Sequence, residues 1–419
     1  MKRVLVISYR FPPQLSTRSV QVARWIKFMP RCGWEPVVVC AEEHSVYNTP
    51  IDSTLIELVP SDTKVVRVKS VEPKIALALA GKVAPFLLYL PDTALGWYQP
   101  AYKKALALLK EEPFDLILSC AYARTSNLVG LKLKRKTGLA WIAYFSDPWV
   151  DSLEHDYDPI TGYINRRMER AVMAEADAVI FISEGMRQLI MKKYPREWLG
   201  KSFVVSQCYD PELVSSAKDY KKELGGDKFT ITFTGSLYAE RRGLAPLFQA
   251  MRRILNQYPE IYRRLTIQIV GGVRDTHRRL IREFGIEDMV FVVGTVPYLE
   301  SLAYMAKADV LLSLDSPSRG SIMLHPSKVA EYLGFKKPIL AITPLDAGWV
   351  PVIRQLGGIV VAPENIDGIE QAIMTLYQDY IQGNLSKYSY SDEDTKAYNA
   401  INAVGNLAQI FDWVIQRSA

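Results

Sequence analysis

Short apolar runs rich in β-branched residues alternate with longer helical stretches along this 419-residue chain, and the alternation runs its course twice. The first series is RVLVIS (3–8), EPVVVC (35–40), KVVRV (64–68), FDLILS (114–119), AWIAYFS (140–146), DAVIFIS (177–183) and SFVVS (202–206). Runs so short and so continuously apolar read as strands buried on both faces. Helical patterns over 16–32, 97–111, 123–137, 160–176 and 184–194 separate several of them. Parallel strands need a long crossover, so a chain that alternates in this way folds as a parallel sheet wrapped by helices.

YDPELVSSAKDYKKELGGDK (209–228) is polar and turn-rich and reads as a linker. The pattern then restarts with FTITFTG (229–235), LTIQIVGG (265–272), MVFVVG (289–294), ADVLLSL (308–314), PILAIT (338–343) and GIVVA (358–362), again with helices between. The expected organisation is therefore α/β: a domain over 1–208, a linker over 209–228, a second doubly wound domain over 229–392, and a terminal helical segment over 393–419.

Charge is uneven. Lys and Arg number 28 against 22 acids up to residue 210, and 23 against 23 thereafter. Runs such as KLKRK (132–136) and RRMER (166–170) read either as solvated helix faces or as a surface for anionic lipid or a phosphorylated substrate. The most apolar stretch, residues 75–90, is interrupted by Lys82 and Pro85 and is too short to span a bilayer, so it reads as a core or an interfacial helix. The opening run is too brief for a signal segment. Four cysteines without CxxC spacing and four scattered histidines point to a reduced, cytoplasmic setting and away from a protein-held metal.

In open parallel sheets, ligands bind at the carboxyl ends of the strands. After the first strand, Pro12-Pro13 replaces any GxGxxG turn, which excludes a nicotinamide-type fingerprint there. Ser16 or Thr17 can cap the next helix, and Arg18 beside the cap reads as a phosphate contact or as a surface Arg. Asp147, between Ser146 and Pro148, is placed to accept a proton from a hydroxyl, or else to open an Asx turn. Gly235 permits close backbone approach. Arg241-Arg242 at a helix start add positive charge where the dipole is already positive, an arrangement that favours a bound diphosphate. Gly271-Gly272 and Gly294 keep side chains away from the same edge.

With these pieces in place, the chain resembles the family 4 glycosyltransferases of the GT-B fold, with the surface-polysaccharide branch suggested by ISYRFPP, PDTALGW (91–97) and SDPW. In the second half, FTGSLYAERRGLAPLFQAM, IVGG, VFVVGTVPYLESLAYMAKADVLLSL and HPSKVAEYLGFKKPILAI occur in the family's order. The resemblance implies two tandem Rossmann-like domains facing a central cleft, with the C-terminal helix crossing back to the N-terminal domain. It also implies retaining, metal-independent transfer with no cofactor beyond a UDP- or GDP-linked sugar as co-substrate.

By the same resemblance, Arg242 falls on the diphosphate-binding Lys of the family and Glu331 on the ribose hydroxyls, with Asp147 as an acceptor-orienting residue or auxiliary base. Thr295 and Val296 meet the base, and Pro326, with Ser327 beside it, shapes the turn before the Glu331 helix. Lys328, close to Glu331, reads either as a positive charge that the family's motif lacks or as a solvent-facing helix Lys. Arg18, Gly235, Arg241 and Gly271 complete the expected nucleotide contacts. Departures are located too. Met323 replaces the first Glu of the paired-Glu motif, Ser236 an Arg, Ser146 a His, and QLSTR the N-terminal Gly-Gly loop.

The function implied is transfer from a nucleotide sugar to a glycan or lipid-linked acceptor at the cytoplasmic membrane face, with peripheral contact to anionic lipid and no nucleic-acid partner. Two alternatives stand beside it: a non-catalytic GT-B binding or partner protein, and a GT-B sugar-nucleotide epimerase.

Overall fold

The computed structural model describes residues 1–46, 49–70, 90–151, 157–219, 228–237, 244–315 and 325–418. The chain divides into two units, Met1–Gln207 with Ala400–Ala419, and Cys208–Asn399. Most of the 75–90 stretch, Arg241, Arg242 and Met323 lie outside the described residues.

Unit one contains β1 (Lys2–Ser8), α1 (Thr17–Phe28), β2 (Trp34–Ala41), β3 (Lys64–Val68), α2 (Leu95–Glu111), β4 (Leu116–Cys120) and α3 (Arg124–Thr137). It continues with β5 (Trp141–Phe145), α4 (Pro159–Glu175), β6 (Ala178–Phe181), α5 (Glu184–Met191) and β7 (Ser202–Val204). The strands pair in parallel in the order β3-β2-β1-β4-β5-β6-β7. Order therefore reverses between β1 and β4, the switch point at which such sheets open a crevice. Val4, Leu5, Val6 and Ile7 are all fully buried. Helices on both faces leave β1 no polar side, which is why its sequence shows no alternation.

Unit two contains α6 (Pro211–Lys218), β8 (Phe229–Thr234), α7 (Leu244–Gln257), β9 (Leu265–Val270), α8 (Asp275–Glu283), β10 (Val290–Gly294) and α9 (Tyr298–Lys307). After these come β11 (Val310–Leu314), α10 (Ser327–Phe335), β12 (Ile339–Ile342), α11 (Val350–Gln355), β13 (Ile359–Val361), α12 (Ile366–Ile381) and the single turn α13 (Asp392–Thr395). Its parallel sheet has the order β10-β9-β8-β11-β12-β13, with its own switch between β8 and β11.

Three local expectations need correction. The first helix ends at Phe28, and Met29–Cys32 tightens into a 3-10 turn that contains Pro30. The stretch read as a linker holds α6, whose N-terminus is capped by Asp210 with Pro211 in the first turn. That helix packs closely on α10: a Cβ at Gly334 would stand 2.6 Å from Val214 Cγ2 and 2.8 Å from Tyr209 Cδ2. Polar composition concealed a packed helix because only Val214 and Ala217 of α6 are buried.

The terminal helical segment is the third. It begins with α13 and, after a break, continues as α14 (Ala400–Ser418), which belongs to unit one. Phe411 meets Trp34 edge to face with centroids 5.0 Å apart, Trp413 meets Phe203 at 5.1 Å, and Asp412 pairs with Lys2 at 2.7 Å. Aromatic contacts of this kind hold a terminal helix through area as well as ring geometry.

Candidate functional site

In unit two the carboxyl ends of β8, β9 and β10 lie side by side, the first two followed directly by glycine and the third ending in one. Gly235, Gly271 and Gly294 have φ of +118°, +140° and +89°, values that only glycine adopts readily. Backbone bonds carry the ladder past the strand ends: Gly235 N donates to Val270 O at 2.8 Å, Gly271 N to Gly294 O at 2.7 Å, and Leu237 N to Gly272 O at 3.0 Å. A Cβ on Gly271 would stand 2.3 Å from Gly235 O. One on Gly272 would touch Ser236 Oγ at 3.5 Å and Thr295 Oγ1 at 4.0 Å. Three loops distant in sequence thus form one side-chain-poor floor, bordered by Ser236, exposed Thr295 and half-buried Val296.

Helix α10 stands over the adjoining edge. Pro326 precedes it without a side-chain cap, and Ser327 opens it. Lys328, Glu331 and Tyr332, at i, i+3 and i+4, share a face. The Lys328 ammonium lies 3.7 Å from the centroid of Phe233 in β8, so this Lys faces the strand rather than solvent. The Tyr332 hydroxyl accepts from Thr234 N at 3.3 Å and donates to Leu312 O at 3.0 Å, which locks α10 to β8 and β11. Buried Glu331 accepts from the Tyr298 hydroxyl at 3.1 Å. Nothing in the sequence singled out Tyr298, which reaches the carboxylate from the start of α9.

In unit one, Ser16 caps α1 by accepting from Ser19 N at 3.1 Å. Arg18 is buried, which corrects the surface reading. It donates to Gln21 Oε1 at 2.7 Å and lies 4.8 Å from the ring centroid of Tyr144. Gln21 Nε2 in turn donates to the Tyr144 hydroxyl at 3.0 Å. Burial pushes that phenol up to about 12, so it remains neutral.

Asp147 is exposed just beyond β5. Ser146 Oγ is within hydrogen-bonding reach of Asp147 Oδ2, at 2.5 Å, and of Ala121 O, at 3.1 Å. The loop after it is anchored from α4, where Asn165 Oδ1 accepts from Trp149 Nε1 at 2.7 Å and Glu169 Oε2 from Val150 N at 2.9 Å. Glu169 Oε1 also holds Lys193 at 2.7 Å and the Tyr194 hydroxyl at 2.5 Å, while Lys193 bonds Asp151 as well. Burial, then the Glu169 charge, raises the Tyr194 phenol well above its ordinary value and keeps it a donor. Asn165 and Glu169, one helical turn apart, carry no motif that sequence reading would have flagged.

Comparison with known proteins places this geometry in a class. Residues 19–213 match the family described as Glycosyltransferase Family 4, and residues 228–379 the family described as Glycosyl transferases group 1. Among solved structures, sucrose-phosphate synthase from Thermosynechococcus elongatus superposes with a TM-score of 0.69 at 18% identity, covering 100% of both chains. HepE of Anabaena in complex with UDP gives a TM-score of 0.66 at 15% identity, over 99% of this chain and 100% of that one. Trehalose 6-phosphate synthase from Burkholderia multivorans gives 0.67 at 13% identity, over 100% of both. No curated protein sequence matches the chain. With two glycosyltransferase families matched in succession and the fold shared end to end, the chain is a glycosyltransferase of the GT-B fold.

Proposed function

We propose that the chain transfers a sugar, with retention of configuration and without a metal, from a UDP- or GDP-linked donor to a glycan or lipid-linked acceptor in surface-polysaccharide or glycoconjugate synthesis. The observation that carries this reading is the floor of Gly235, Gly271 and Gly294 beneath the α10 face that bears Lys328 and Glu331. Bare backbone lets a diphosphate come close, and a buried carboxylate one turn beyond a cation suits ribose hydroxyls beside phosphate. Solved neighbours support the choice of donor, since HepE of Anabaena has been captured with UDP and with UDP-glucose.

Arg242, with Arg241 and Lys328, would stabilise the charge that develops on the departing diphosphate, and that diphosphate would take the proton of the attacking hydroxyl. Thr295 and Val296 would meet the base, and Pro326 and Ser327 would set the entry of α10. Asp147 would orient the acceptor hydroxyl, and Arg18 would act from inside α1. The setting proposed is the cytoplasmic face of a membrane; among the described residues no helix is long and apolar enough to cross one.

Glu331→Ala is expected to weaken donor binding about tenfold to a hundredfold, the worth of a hydrogen bond to a charged group. Calorimetric titration with UDP- and GDP-sugars measures it, and unchanged affinity would remove Glu331 from the site. Asp147→Asn should leave that affinity intact while turnover falls about a hundredfold, as for a lost group that positions the reacting hydroxyl. Nucleotide release with a membrane extract, followed together with product mass, checks this outcome. Release coupled to acceptor growth supports transfer. An altered sugar nucleotide would indicate epimerisation, and binding without turnover a non-catalytic protein.

A further inference from the structure

Helix α10 bears Ser327, Lys328 and Glu331, three of the proposed nucleotide contacts, yet its first turn lacks the device that fixes other helices. Side chains of Ser16, Asp158, Ser183 and Asp210 cap α1, α4, α5 and α6, whereas Pro326 makes no capping bond. An uncapped first turn is prone to fray, because its backbone donors have no partner within the helix.

A ring contact stands where the cap would be. The His325 imidazole lies on the Trp349 indole, with centroids 4.3 Å apart and planes 19° from parallel. Trp349 in turn meets the Tyr398 ring at 5.2 Å and 53°. The indole is a firm base: Trp349 is 2% exposed and precedes α11, where Ile353 N donates to its carbonyl at 2.9 Å. Among the described residues its Nε1 finds no acceptor, so ring contact rather than hydrogen bonding sets this side chain. Tyr398 is fixed through its backbone, its carbonyl accepting from Tyr209 N at 2.8 Å.

The segment that supplies Tyr398 meets α10 at two further points. The Tyr390 hydroxyl donates to Tyr332 O at 3.3 Å, and Asp392 pairs with Lys336 at 2.7 Å. Those bonds serve the middle and the end of α10, and the ring stack serves its entry. Pro326, Ser327, Lys328 and Glu331 thus lie between two anchors, His325 on Trp349 and Tyr332 on β8 and β11.

We propose that His325 and Trp349 are positioning residues for the nucleotide: their stack holds the turn at Pro326 and Ser327 in the arrangement that binds, without touching the ligand. This rests on, and deepens, the reading of α10 as the donor-site helix. A turn released from the stack is ordered only on binding, and apparent affinity falls with the fraction of chains that already hold the competent arrangement.

The test is made at His325, which is half-buried, because truncating Trp349 would also open a cavity. Calorimetric titration of the full chain with UDP and with GDP, well below the unfolding temperature of every variant, compares the wild type with His325→Leu and His325→Phe. Leu keeps apolar bulk without a ring face and should weaken the better-bound nucleotide about threefold to tenfold, the worth of a stacked aromatic pair. Phe restores the ring and should restore the affinity. Unchanged affinity in the Leu variant overturns the proposal and leaves the donor reading standing. A Phe variant as weak as Leu would assign the effect to an imidazole nitrogen and overturn it as well. No binding of either nucleotide by the wild type would remove the donor reading and this proposal with it.

Discussion

Gly271→Ala is expected to lower the stability of the second unit by about 3 kcal/mol, the upper range for a residue forced into a glycine-only conformation. Two effects combine at this position. The backbone is held at φ +140°, and the new methyl would stand 2.3 Å from the Gly235 carbonyl oxygen, a backbone atom that cannot swing aside. Relief would require separating the loops after β8 and β9, the two that build the floor of the candidate donor site. Nucleotide binding should therefore be lost along with a fall in melting temperature of roughly 6–12 °C, by the usual scaling for a unit of this size. Gly294→Ala is the comparison that separates the two effects, because φ there is +89° and nothing lies within 4 Å of its Cβ. It should cost about 1 kcal/mol through backbone strain alone. Thermal unfolding with and without nucleotide measures both, and equal losses for the two variants would show that the clash contributes nothing.

Glu169→Ala should destabilise the first unit by about 3 kcal/mol, the lower end for breaking a buried ion pair. The lower end is chosen because Lys193 keeps 29% of its side chain in solvent and retains Asp151. What is lost besides the pair is the acceptor for Val150 N and for the Tyr194 hydroxyl. The loop bearing Asp147 would then be held from α4 mainly by the Trp149–Asn165 bond. Glu169→Gln keeps one acceptor oxygen and should lose about 1–2 kcal/mol, since a neutral amide accepts more weakly and brings donors of its own. Denaturant unfolding, read beside the near-UV signal of Trp149, follows both. A Gln variant as unstable as Ala would mean that charge rather than shape holds this loop.

The sheets were legible because a strand covered on both faces has no choice of residue. RVLVIS announces β1 by continuous hydrophobicity and FTITFTG announces β8 by apolar residues interleaved with β-branched Thr, and the structure places them at Lys2–Ser8 and Phe229–Thr234. Helix α6 was not legible: two buried residues in eight leave a composition indistinguishable from a connector. Within the candidate donor site, Gly235, Gly271, Lys328 and Glu331 stood out by type and by position after strands. Tyr298 did not, because its part consists of one bond to a carboxylate 33 residues away. Arg18 could be read from its neighbours as a cap-side cation, but not as a buried one, since Tyr144 comes to it from another strand.

Two doubly wound units follow from patterns that act over a few residues, because the gain from burying a strand or a helix face is a sum over its own side chains. Pairings among charged and polar groups obey a different rule. Their energy depends on separations of a few ångströms between residues that the crossovers bring together, as with Glu169 under the Asp147 loop and Lys328 over Phe233. Local sequence carries no record of those distances. Tyr298, an ordinary residue in the text of the chain, becomes the partner of Glu331 only once α9 and α10 lie next to each other.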